Sequence, residues 1–255
     1  MKRLLFFAGV VLLTTAGTVY GYPNGTPLYV TDATPSCASC HAVAKATYMP
    51  ELPDQMSAKE TAAHKHYALI RAELPPSPYL ELTKDRKEKI IRDAQQIDAL
   101  ASVTINVPSR VKKNTEILAT VRFKGGNGPA VGIMLVDKPL RYQARPVTAD
   151  GWSIVGEPIV EEQEGHIQKT WLERRVSGTK RNMNHVQVLD QKMDRESGVF
   201  PAGTVAFTLR APDFPGTYSL TAAFLYGTEN ADTAGFFQRP SGRILFSDEV
   251  KIVVE

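Results

Sequence analysis

The hydrophobic pattern of this chain changes period at Val103–Pro108, and that change limits what the chain can fold into more than any other feature. Ahead of it, apolar residues recur at intervals of three and four; beyond it, β-branched and apolar residues alternate with polar ones. Alternating runs lie at Val103–Val107, Ile117–Phe123, Val131–Val136, His185–Leu189, Val205–Leu209, Tyr218–Leu225 and Val250–Val254. Turn residues separate them: Gly125-Gly126-Asn127-Gly128, Asp150-Gly151 and Pro215-Gly216. Seven or more strands across residues 102–255 predict an antiparallel β-sandwich, with a small helical domain over 22–101 ahead of it, an α+β multidomain chain.

The first residues read as an export signal. Lys2 and Arg3 precede an apolar run from Leu4 to Leu13, followed by small residues, and Val19 and Gly21 suit the positions before a cleavage site. A membrane-spanning helix needs about 20 apolar residues, so this run predicts a signal peptide over 1–21 and no stable span after its removal. The mature chain would keep 255 − 21 = 234 residues, and its formal charge would be +3 less the two charges of Lys2 and Arg3, or +1. That balance calls for no nucleic-acid partner. With 2 cysteines in the whole chain, no disulfide framework can support the sandwich.

Within 22–101 three helices are expected. Ser36 can cap the first, which runs through Ala46 and stops at Met49-Pro50. Ser57 and Glu60 form a capping box for the second, which Pro75 and Pro76 end after Leu74. The third, from Lys84 to Ala101, places Ile90, Ala94, Ile97 and Ala101 on one face.

Both cysteines belong to the run Cys37-Ala38-Ser39-Cys40-His41. A Cys-x-x-Cys pair alone is open to other readings: a thioredoxin-like redox pair, half a zinc site or a strained disulfide. The prolines at 23, 27 and 35 crowd the strand that the first would need, and no third cysteine serves the second. A histidine directly after the second cysteine favours haem c: each thiol adds across a vinyl group and the imidazole turns under the iron. Here the chain resembles the c-type cytochromes. The resemblance implies one covalently attached haem on Cys37 and Cys40, His41 as proximal iron ligand, and attachment in the periplasm or outside the cell, in keeping with the leader. It also implies that 22–101 is a cytochrome c-like haem domain. Two features depart from that family: residues 22–36 cannot supply a helix before the motif, and Leu74 stands where a methionine ligand often precedes a proline.

The sixth ligand is therefore sought elsewhere. At 100° per residue, Ala62, Ala63, His66, Tyr67, Leu69 and Ile70 share one stripe of the second helix, so His66 faces whatever that helix packs against. If that is porphyrin, His66 is the distal ligand; if it is protein, His66 is a core histidine hydrogen-bonded to backbone. Met56, His64 and Met49 follow as candidates, and a five-coordinate iron remains open.

In the sandwich, Glu157, Glu161, Glu162 and Glu164 read as a solvated acidic loop, and Arg174, Arg175, Lys180 and Arg181 as its basic counterpart. The glycines at 125, 126 and 128 read as a hairpin turn, His166 and His185 as ordinary strand or loop residues, and Trp152 and Trp171 as core or interface aromatics. No catalytic constellation is legible, so the chain is not expected to be an enzyme. Phe207–Pro212 with Pro215–Tyr218 resembles the penultimate-strand region of immunoglobulin-like domains, with Tyr218 in the tyrosine-corner position. A haem motif ahead of such a sandwich is similar in architecture to secreted bacterial proteins with a Reeler-like domain. The expected function is electron transfer by an exported single-haem cytochrome whose sandwich docks to a redox partner or to copies of itself. The alternatives are a haem-based small-ligand sensor, and a secreted binding or adhesion module whose haem is mainly structural.

Overall fold

The computed structural model describes residues 66–75, 77–139, 145–173, 182–191, 193–194, 197–228 and 242–255. Among these, eleven strands form two sheets. The first has the order β1 (Ser102–Asn106), β3 (Glu116–Lys124), β8 (Ala202–Arg210), β5 (Ser153–Glu162), β6 (Ile167–Gln168). The second runs β2 (Arg110–Val111), β11 (Val250–Val254), β9 (Gly216–Gly227), β4 (Asn127–Val136), β7 (His185–Leu189), and β10 (Gly242–Phe246) also pairs with β9. All pairings are antiparallel except the two-residue contact of β2 with β11.

Alternation builds the core. Ala119, Val121 and Phe123 of β3 and Val205, Phe207 and Leu209 of β8 face Val131, Ile133 and Leu135 of β4 and Leu220, Ala222 and Phe224 of β9, all buried in one cluster. Trp152 and Trp171 lie in the same cluster, so both are core aromatics. The Tyr218 hydroxyl donates to the Phe214 carbonyl at 2.9 Å, a corner bond four residues back along the chain, while its ring meets Trp152 edge-on at 6.2 Å.

The expectation of a separate helical domain ahead of the sandwich does not hold. The α-helices among the described residues are α1 (described over residues 66–71), α2 (Lys84–Leu100) and α3 (Thr170–Glu173). Ile97 of α2 and Ala101 just after it belong to the sandwich core itself. The described architecture is a β-sandwich on which α1 and α2 sit, in place of the cytochrome c-like domain.

Helix boundaries also differ from the sequence reading, for local reasons. α1 stops at 71 because Pro75 crowds the residue before it and the freed carbonyls find side-chain partners. Ser77 Oγ donates to Leu69 O at 2.7 Å and Lys87 Nζ to Ala72 O at 2.8 Å. Thr83 Oγ1 caps α2 by accepting from the Arg86 amide. The buried stripe of α2 is Lys87, Ile91, Ala94, Ile97 and Asp98, so Ile91 replaces Ile90 and two charged residues lie on the inner face.

Two further corrections concern the sandwich. Glu157, Glu161 and Glu162 lie within strand β5, which pairs with β8 through an irregularity between Val155 and Ile159. The run Gly125-Gly126 is no hairpin, because β3 and β4 belong to opposite sheets and the chain switches layers there. Gly125 and Gly126 have φ of 81° and 75°, and a Cβ on Gly125 would stand 2.7 Å from the Leu100 carbonyl oxygen. The end of α2 packs against bare backbone at that point.

Candidate functional site

Where α1 and α2 meet the second sheet, six side chains form a buried polar cluster. Asp98 comes from the last turn of α2, His66 and Tyr67 from α1, and Tyr79 from the turn after it. Tyr226 of β9 and Arg243 of β10 stand directly opposite each other in the ladder, so one register position of the sheet supplies both.

Asp98 is the hub. Its Oδ1 accepts from the Tyr226 hydroxyl at 2.9 Å, and its Oδ2 from the Tyr67 hydroxyl at 3.1 Å and from Arg243 Nε at 3.3 Å. The side chains of Asp98 and Arg243 are 5% and 4% exposed. Arg243 spreads its other donors to the Gly242 carbonyl at 3.3 Å and to His66 Nδ1 at 2.8 Å. A buried charge survives when its partners and hydrogen bonds replace water, and this pair has both.

The phenols respond to this setting. Burial, first, and then the Asp98 carboxylate push the Tyr67 hydroxyl up to about 12, with Arg243 opposing. Tyr226 is pushed well above the ordinary tyrosine range by the same causes, burial again leading. Both phenols stay protonated and act as donors to Asp98.

The geometry of His66 determines what it can do. A guanidinium only donates, so Nδ1 must accept from Arg243; this assigns the ring proton to Nε2, which faces the Tyr79 hydroxyl at 3.3 Å. Neither nitrogen then has a lone pair to offer iron. His66 is buried on the inward stripe expected of it, and it does not fit the sixth-ligand role in this arrangement. Both ring nitrogens meet side chains, those of Arg243 and Tyr79. Cys37, Cys40, His41, Met49, Met56 and His64 lie outside the described residues, as do Arg174, Arg175, Lys180 and Arg181.

Of the remaining candidates, His185 is fully buried in β7 and His166 is exposed ahead of β6. Glu162 and Glu164 line a shallow cleft of about 210 Å³ with Asp190 and Gln191, and Glu162 accepts from the Gln168 amide. Among the described residues no group of three or more His, Cys, Asp or Glu is placed to hold a metal ion. No helix among them is long and apolar enough to cross a membrane.

Asp98 and Arg243 were missed because charge reads as surface. A signal existed in the helix: Asp98 stands four residues after Ala94 and seven after Ile91, on the apolar stripe. Arg243 sits in a two-sided apolar run, Gly242–Phe246, that is too short to show which side faces inward.

No family model and no curated protein matches the chain. Among solved structures, the chain is similar to the C-terminal domain of the Streptococcus agalactiae AgI/II polypeptide BspA, with 12% identity and a TM-score of 0.31. That match covers 60% of this chain and 50% of the other, so the chain spans half the length of the structure it resembles. A mutant form of the same domain matches over 60% and 46%, again at a TM-score of 0.31.

Proposed function

We propose that this chain is an exported binding module: a β-sandwich that docks to a partner protein or to copies of itself, with one haem c attached ahead of it at Cys37 and Cys40. The observation that carries this reading is the closed polar cluster. Asp98, Arg243 and His66 use their polar atoms on one another, on three tyrosines and on the Gly242 carbonyl, so the cluster seats α1 and α2 on the sandwich, while Leu118 and Ile159 of the first sheet, each more than half exposed, offer apolar surface to a partner. His41 is the residue of this chain that would ligate the iron on the proximal side, and the haem mainly supports the N-terminal segment. A buried ion pair with satisfied hydrogen bonds holds that segment's helix on the sheet at one register, as a docking module requires.

The test uses mature protein from a host that attaches haem c. Its intact mass should exceed the cleaved polypeptide by one haem, and the Cys37→Ala/Cys40→Ala variant should lose that increment. Cooperative unfolding and association retained in the haem-free variant support a binding role. A fold or an association that disappears with the haem overturns it.

The motif Cys37–His41 itself favours a second reading, electron transfer by the same exported chain. Bound haem would supply a one-electron couple there. Carbon monoxide separates the possibilities: ferrous protein that ignores it supports an electron carrier, and rapid binding supports a small-ligand sensor.

A further inference from the structure

Beside the N-terminal turn of α2 the surface opens into a cleft of about 440 Å³, within the size range of small-molecule sites. Lys87 lies in its wall, 7% exposed. Its ammonium donates to the Ala72 carbonyl at 2.8 Å and forms no ion pair among the described residues. An ammonium has three donors, so two are left for whatever occupies the cleft. A buried charge with one neutral partner is costly, and an anion entering the cleft would relieve that cost.

The other lining groups define the anion. Arg71 is committed, its Nε and Nη2 held by Glu88 at 2.8 and 3.1 Å, so these two charges cancel. Lys84, one turn before Lys87, lines the same cleft, is exposed and has no ion pair among the described residues. Glu73 stands exposed at the cleft as well. Two lysines against one carboxylate leave a single net positive charge, which suits a monoanion better than a phosphate dianion. Leu80, 41% exposed, and Leu82 supply an apolar wall beside the cations.

The geometry points to a binding site for a small organic carboxylate with a short apolar tail, its head on Lys87 and Lys84 and its tail along Leu80 and Leu82. The site is independent of the haem and of the docking role. The probe is hexanoate, titrated calorimetrically into the full mature protein, with inorganic phosphate and hexylammonium as comparisons. Saturable one-to-one binding of hexanoate is expected, at least tenfold tighter than phosphate, with no binding of hexylammonium. Lys87→Met should weaken it at least tenfold and Lys84→Gln severalfold. Should Lys87→Met fail to fold, Leu80→Asp, which places a like charge on the exposed wall, must abolish binding. Absence of saturable hexanoate binding, equal affinity for phosphate, or undiminished binding by folded Lys87→Met or Leu80→Asp overturns the proposal.

Discussion

Helix α2 carries two buried charges about three turns apart, and they are treated in opposite ways. Asp98 is surrounded by two phenols and a guanidinium that each donate to it. Lys87 has one carbonyl oxygen and an open cleft. Both have left water, so both lost hydration; Asp98 recovered it from the protein and Lys87 recovered part of it. A fully partnered buried charge fixes geometry, here the seating of α1 and α2 on β9 and β10, whereas a partly partnered one next to open volume is available to a ligand.

The largest break in this contrast comes from Asp98→Ala. It leaves Arg243 buried without its counter-charge and should cost about 3–5 kcal/mol in denaturant unfolding. Adding Arg243→Met should recover much of that loss, because the pair's value lies in compensation. Failure of the double variant to regain stability would mean that the cluster does more than cancel its own desolvation.

Tyr67→Phe removes one donor to a charged acceptor at a half-buried position and should cost about 1.5 kcal/mol at neutral pH. It also has a pH signature. The Tyr67 hydroxyl is pushed from 10.0 up to about 12 in the folded chain, chiefly by burial. A phenol with a raised folded value holds its proton better when folded, so its contribution is complete below about pH 10 and fades as pH rises toward 12. Stability measured across that window should fall less steeply in Tyr67→Phe than in the parent.

Lys87→Met sharpens the comparison from the other end. One hydrogen bond to Ala72 is lost while an incompletely compensated charge is removed, so stability should change by no more than about 1 kcal/mol in either direction. The smallest effect is expected where water still holds both partners. Arg210 and Glu116 pair at 2.9 Å with side chains 50% and 48% exposed, and Arg210→Gln should cost below about 1 kcal/mol and less still at high salt.

Much of the sandwich was legible, and the reasons for the gaps are specific. Each of the seven runs overlaps a strand: in β1, β3, β8 and β11 buried residues alternate with more exposed ones, while the runs in β4, β7 and β9 are buried along most of their length and read as strands from their apolar, β-branched residues. β5 was hidden because Gly156, Glu157 and Pro158 interrupt it between Ile154 and Val160, two glutamates end it, and its irregular register breaks the alternation. β10 shares one edge of the long β9 with β11, and its tally of five residues gives periodicity little to work with. His66 was located correctly on an inward face, yet its partner is a guanidinium 177 residues away, which no local pattern predicts.

By itself the sequence determined where seven of the eleven described strands run, because apolar runs, alternating where one side of a pleated chain is buried, are a local consequence of that burial. The tertiary structure alone decided that two glycines carry the chain between layers, that α2 seats on the sandwich, and that Asp98, Arg243 and Lys87 are inside. The physical reason is that a buried charge is permitted by its partners, and those partners come from segments that only folding brings within 3 Å or so of one another.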